Sequence, residues 1–255
     1  MRLRLTPEEE QVLAARFRYN PLSHNSVSSG IKASDLLHPG QLAAYLQEVS
    51  QLLRSPSRVV TASQFSKRYS YLVLVPALYA MSRFNKLLPL WPGNVWVESS
   101  AEQGMWLPKL KLRHGTVLML SADREVQRTA FIRSLFAEHV TKVWTALNRL
   151  TGISPAVLWE NTALYVIWLY EQHLLTADEP DVRQRAREDF QSLLTASAAL
   201  FGTEYNPLAQ YWEESGQGSD GGLRQRKTCC YYYRLPGAKR CQGCPCLNRR
   251  ACNSC

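Results

Sequence analysis

Residues 123–152 read DREVQRTAFIRSLFAEHVTKVWTALNRLTG, and the spacing of their apolar positions decides the class of the fold. Ile132, Leu135, Phe136, Val140, Val143, Leu147 and Leu150 recur at three- and four-residue steps, the period of a helix with one buried face. Gly152 stands where such a helix ends, and Ser154-Pro155 offers a cap and a first-turn proline to the next. Val157, Leu158, Leu164, Tyr165, Trp168 and Leu169 supply that helix's expected face. A further helix is predicted from 181 to about 200.

Toward the N-terminus, Thr6-Pro7-Glu8-Glu9 is a helix start: a capping hydroxyl, a first-position proline, and acids at the positive end. Helices are predicted over 41–53, stopping before Pro56, and over 62–85, where Pro76 should kink or interrupt an apolar run. Strands are expected at 95–98, 105–112 and 116–120, the last two joined as a hairpin across Arg113-His114-Gly115. The expected fold class is therefore mainly α (α+β): a helical body with a small antiparallel β-sheet and a C-terminal cysteine-rich segment.

The 255 residues are 45% hydrophobic and include 7 Trp, 12 Tyr and 7 Phe, enough apolar mass for a sizeable core. The most apolar runs, 72–81 and 163–170, fall well short of the roughly 20 residues that cross a bilayer. Glu8, Glu9 and Glu10 occupy the place of an export signal's apolar core, so the expected compartment is the cytoplasm. A peripheral contact with a membrane surface stays open. No G-x-S-x-G elbow or phosphate-binding loop is present, which leaves hydrolase and phosphotransferase readings without support. The five histidines (24, 38, 114, 139, 173) are scattered, and His139 and His173 read as ordinary helix residues.

Charge and cysteine both concentrate at the C-terminus. The net charge is +9, and residues 223–255 hold eight Lys and Arg with no acid, leaving +1 on residues 1–222. All seven cysteines (229, 230, 241, 244, 246, 252, 255) lie in the last 27 residues. An odd, dense set of thiols in a chain of this kind points to metal rather than disulfides. Residues 1–212 form the expected body, 213–222 a polar linker, and 223–255 the metal segment. Gly216, Gly218 and Gly221 match G-x-G-x-x-G, but no strand precedes them and no periodic helix follows, so they read as linker.

Within the metal segment the spacing is Cys229-Cys230, ten residues, Cys241, two residues, Cys244. Cys241 and Cys244 can chelate jointly around a tight turn, and Gly237 and Gly243 suit such turning. Adjacent extended residues point to opposite sides, so Cys229 and Cys230 fit ligands spread over two irons better than one compact chelate. A zinc-knuckle site from Cys241, Cys244, Cys252 and Cys255 is the competing arrangement, and it leaves the vicinal pair idle. Four thiolates around a diferric two-sulfide core carry −2, and −3 after reduction, which the surrounding cations offset.

The run Cys-Cys-Tyr-Tyr-Tyr-Arg-Leu-Pro-Gly-Ala-Lys-Arg-Cys-Gln-Gly-Cys-Pro, residues 229–245, closely resembles the C-terminal site of bacterial siderophore-iron reductases of the ferric hydroxamate type. Phe65-Ser66-Lys67-Arg68-Tyr69, Ala77-Leu78-Tyr79-Ala80-Met81 and Leu158-Trp159-Glu160-Asn161 are similar to that family's helical region, which part of some siderophore synthetases shares. The resemblance implies a 2Fe–2S cluster held by Cys229, Cys230, Cys241 and Cys244, and an oxidoreductase that passes one electron to a ferric siderophore. It also implies a cellular electron donor, and no nucleic acid is expected as partner. Cys246, Cys252 and Cys255 depart from the family pattern. Two other readings compete: a zinc- or redox-sensing nucleic-acid-binding protein, suggested by basic residues beside Tyr231, Tyr232 and Tyr233, and a siderophore-biosynthetic enzyme.

Overall fold

Thr6 caps the first helix as its neighbours dictate: the Thr6 hydroxyl accepts from the Glu9 amide, and the Glu9 carboxylate accepts from the Thr6 amide. The computed structural model describes residues 2–20, 30–99, 101–102, 105–214, 225–241 and 243–245. Its helices are α1 (Pro7–Phe17), α2 (Pro39–Leu53), α3 (Arg58–Arg83), α4 (Arg124–Leu135), α5 (Thr141–Thr151), α6 (Pro155–Leu169), α7 (Pro180–Thr195) and α8 (Pro207–Glu214). A π-turn, Phe136–Val140, joins α4 to α5 without a break, and Gly152 ends α5 at a left-handed φ of 72°. The body is mainly helical, as the periodicity requires.

The core lies along α3 and α6, which share the most extensive contact between any two elements. α3 is buried on all sides over its second half, from Leu72 to Ser82, and runs unbroken through Pro76. Pro76 therefore does not interrupt the helix. Burial of Val73, Leu74, Val75, Ala77 and Leu78 around the proline offsets the hydrogen bond it cannot make. α6 also departs from its expected single face. Trp159, Glu160, Asn161, Thr162, Ala163, Val166 and Ile167 are all buried, because α3 covers one side and α5 and α8 cover others. α8 takes in the first two residues of the expected linker, and 215–222 lie outside the described residues.

The strands are β1 (Arg2–Leu3), β2 (Tyr19–Asn20), β3 (Gly30–Lys32), β4 (Lys86–Leu87), β5 (Val95–Glu98), β6 (Ala101–Glu102), β7 (Met105–Trp106), β8 (Lys109–Leu112) and β9 (Val117–Met119). They form three small sheets, ordered β1-β9-β4, β2-β8-β5-β3 and β6-β7, and the β2–β8 pair is parallel. The sheet structure is thus mixed rather than antiparallel throughout. Nor do β8 and β9 form the predicted hairpin. Asn94 holds their connection instead: its carbonyl accepts from the Arg113 amide at 2.9 Å and its side chain exchanges hydrogen bonds with the His114 backbone at 2.7 and 3.0 Å. That clamp turns the chain away, and β9 pairs with β1 and β4 in another sheet.

Two buried polar groups tie the helices. His139 sits in the π-turn, 0% exposed, with Nδ1 2.6 Å from the Leu90 carbonyl and Nε2 2.6 Å from the Tyr69 hydroxyl. The carbonyl can only accept, so Nδ1 carries the proton and Tyr69 donates to Nε2. Burial pushes the His139 pKa down to about 4, which keeps the ring neutral and structural. Asp189 of α7 is likewise fully buried. It accepts from Arg124 at 2.6 and 2.8 Å, Arg128 at 3.1 Å and Ser82 at 2.8 Å, joining α3, α4 and α7. Asp189→Ala should leave two guanidinium groups without their anion and cost about 3 kcal/mol. Urea unfolding followed by circular dichroism checks this, and Asp189→Asn should lose less.

Candidate metal centre

Among its described residues the cysteine segment has one regular element, the 3₁₀ turn Tyr232–Arg234, which follows Tyr231 in the left-handed region (φ 56°), and Gly237 turns the chain at φ 70°. The Arg226 amide donates to the Gly243 carbonyl at 2.8 Å, which closes the segment on itself. The Cys244 amide donates to the Cys241 carbonyl at 3.0 Å, the tight turn expected of a C-x-x-C pair. Leu235 is buried in the main core, and Tyr231, Tyr232 and Ala238 pack against it.

A segment with so small an apolar anchor needs other attachments, and α3 and α6 provide them through a buried polar network. Ser63 Oγ and Gln64 Nε2 of α3 both donate to the Cys230 carbonyl, at 2.8 and 2.7 Å. Glu160 of α6 accepts from the Lys227 amide at 2.6 Å, the Thr228 amide at 2.9 Å and the Thr228 hydroxyl. Its remaining partner is the Arg226 guanidinium at 3.2 Å. Arg226 also donates to Asn161 Oδ1 at 2.7 Å, and Asn161 Nδ2 donates to Ser66 Oγ at 2.9 Å. Glu160, Asn161, Arg226, Ser63 and Gln64 are all buried, so each of these bonds stands in for lost water.

The thiols meet unequally. The Cys230 and Cys241 sulfurs are 3.6 Å apart, while Cys229 Sγ accepts from the Tyr231 amide at 3.3 Å. Cys230 and Cys244 are buried; Cys229 and Cys241 are half-buried. The vicinal pair thus divides, one sulfur inward and one toward the rim. The Cys241 thiol, then Lys67 and Arg226, draw the Cys230 thiol below its usual range against the effect of burial. Lys67 comes from α3, with its Nζ 5.2 Å from the centre of the Tyr232 ring. Burial lowers its ammonium pKa, while Cys230 and Cys241 push it up.

The donor set suits an iron–sulfur cluster: four thiols within 16 residues, all sulfur, in an electropositive setting. Two thiolates bound tetrahedrally to one metal at about 2.3 Å lie roughly 3.8 Å apart, and the Cys230–Cys241 pair already has that spacing. Among the described residues, no three His, Cys, Asp or Glu side chains are grouped for a single ion. Cys246, Cys252 and Cys255 lie outside the described residues.

Comparison with known proteins identifies the family. The family model for the ferric iron reductase FhuF-like transporter matches residues 63–219, more than half of the chain. The chain belongs to this family. A second model, the FhuF 2Fe-2S C-terminal domain, matches residues 226–245, so the cofactor of this segment is a 2Fe–2S cluster. That match spans all four clustered cysteines and stops before Cys246. Among the described residues of this FhuF-like protein, no helix is long and apolar enough to cross a membrane. No curated protein matches. A solved structure, aerobactin synthetase IucC from a hypervirulent pathotype of Klebsiella pneumoniae, matches at 15% identity and a TM-score of 0.47, covering 72% of this chain and 37% of its own.

The polar network was missed in the sequence, although a signal for it existed. Glu160 is the only charged residue in the fifteen of α6, and a lone carboxylate in so apolar a helix needs a buried partner. Glu160→Ala should leave Arg226 buried without its anion and free the Lys227 and Thr228 amides. We expect hydrogen exchange at those two amides to rise at least about tenfold, with a stability loss of about 3 kcal/mol. Unchanged exchange would show that the network does not hold the segment.

Proposed function

We propose that this protein is a siderophore-iron reductase that delivers one electron to chelated ferric iron and releases ferrous iron in the cytoplasm. Supporting this is the way a 2Fe–2S segment is clamped by buried groups onto a family-matched ferric-reductase body, with two of its four cysteines half-exposed. In this reading Cys229, Cys230, Cys241 and Cys244 are the ligands. Residues 1–212 seat the chelate and 223–255 form the cluster segment. A bound 2Fe–2S cluster supplies one-electron chemistry and gains one negative charge on reduction.

The chain's own residues would do the rest. Ser63 and Gln64 hold the Cys230 carbonyl, while Glu160 and Asn161 hold residues 226–228 just before the cysteines, which limits rearrangement as charge changes. Siderophores grip ferric iron through hard oxygen donors, and the ferrous ion is held far less tightly by them, so one electron suffices for release. No side-chain acid or base is required. The chelate is expected to be of the hydroxamate type. Lys227, Arg234, Lys239 and Arg240 are exposed around the cysteines, with Arg234 and Arg240 over the Tyr233 ring at 5.8 and 6.0 Å. That basic rim suits an acidic one-electron carrier as donor.

Anaerobically purified protein should contain iron and sulfide in equal amounts, and stoichiometric zinc without sulfide would overturn the reading. Serine in place of any one of the four cysteines should remove most of the charge-transfer absorption. Serine at 246, 252 or 255 should leave it intact, and loss there would refute the ligand set. Pre-reduced protein mixed with a ferric hydroxamate should yield ferrous iron, trapped by a coloured ferrous chelator, at about one ion per electron. Failure with several siderophores would remove the reductase activity while leaving the cluster in place.

A further inference from the structure

Two cations pack close to the inner cysteines: Lys67 Nζ lies 5.2 Å from the ring of Tyr232, two residues past Cys230, and the Arg226 amide donates to the carbonyl of Gly243, next to Cys244. Their situations differ. Arg226 is paired with Glu160 at 3.2 Å, so the cysteines meet a nearly neutral ion pair on that side. Lys67 has no carboxylate partner among the described residues; its ammonium faces the Tyr232 ring instead. Arg68, its neighbour, points elsewhere, donating to the Trp106 carbonyl at 2.7 Å and the Gln64 carbonyl at 3.1 Å. Lys67 therefore brings a positive charge, with no carboxylate paired to it among the described residues, to the part of the segment that holds Cys230.

Its position follows from helix geometry. Ser63 and Gln64 hold the Cys230 carbonyl, and Lys67 lies one turn further along α3, at i+4 and i+3 from them. The face that anchors the Cys230 carbonyl thus also carries a cation, which packs on Tyr232 two residues further along. Placing that charge in a half-buried position is costly unless an anion answers it. Four thiolates around a diferric two-sulfide core form a dianion, and the added electron makes it a trianion.

We propose that Lys67 sets the reduction potential of this centre: its fixed positive charge favours the reduced state. The inference rests on the cluster being held by the four cysteines named above. It concerns a residue of the body, supplied from outside the cysteine segment. The sign follows from charge alone. A nearby cation stabilises −3 more than −2, so removing it makes the centre harder to reduce.

The test is a dye-mediated potential titration, followed by absorption and paramagnetic resonance, on full-length protein with its cluster. Lys67→Met should lower the reduced-to-oxidised ratio at a fixed solution potential by about tenfold, which is about 59 mV for a one-electron couple. Lys67→Arg, which keeps the charge, should stay close to the parent protein. An unchanged potential in Lys67→Met with full cluster content would overturn the proposal, as would an equal fall in Lys67→Arg. Should Lys67→Met and Lys67→Gln lose the cluster while Lys67→Arg keeps it at the parent potential, the charge is still what matters. Loss in Lys67→Arg as well would mean that shape decides, and the proposal fails. Because the readout is a potential, a shift in Lys67→Met stands even where no ferric chelate is reduced.

Discussion

The carboxylate of Glu160 is the constraint on which the arrangement of this protein depends. A carboxylate 2% exposed is strongly unfavourable unless every lone pair is answered. Here two backbone amides, a hydroxyl and a guanidinium answer it, and all four belong to residues 226–228. Removing the cysteine segment would strand the acid, and removing the acid would strand Arg226. Body and segment are therefore mutually dependent through buried charge. The apolar part of this attachment, among the described residues, is Leu235 in the core with Tyr231, Tyr232 and Ala238 packed against it.

The same network explains how a stretch whose described residues hold one short 3₁₀ turn can present thiols in a defined arrangement. Turns and loops have many conformations of similar energy, and ordering them is entropically costly. The Cys230 carbonyl is held by two side chains of α3, and the amides just before it are held by α6. The conformation is imposed from outside, by rigid helices. Charge follows the same division. The exposed cations of the rim come from the segment, whereas Lys67, which packs on the Tyr232 ring, comes from α3.

Where local pattern controls structure, the sequence was legible. The Thr6 capping box, the Gly152 stop and the three- and four-residue apolar steps of α4 and α5 all appear as expected. Two readings failed for one reason: partners distant in sequence. α6 was expected to show one face, but neighbours on several sides bury its polar residues as well. β8 and β9 looked like a hairpin across a glycine turn, yet Asn94 captures the connecting backbone and sends β9 to strands at residues 2–3 and 86–87. Pro76 likewise kept its helix because packing outweighs one missing hydrogen bond.

By itself the sequence determined that the chain is mainly helical and that all its thiols lie in the last 27 residues. Those properties are local: periodicity and composition. Only the tertiary structure decided that Cys230 is buried and Cys229 half-buried, that Glu160 is the anchor, and that Lys67 of α3 packs on Tyr232 of the segment. Ser63 and Cys230 are 167 residues apart, as Glu160 and Lys227 are 67. Electrostatic and hydrogen-bond energies depend on distance in space, and no spacing along the chain encodes which distant helix will supply the charge.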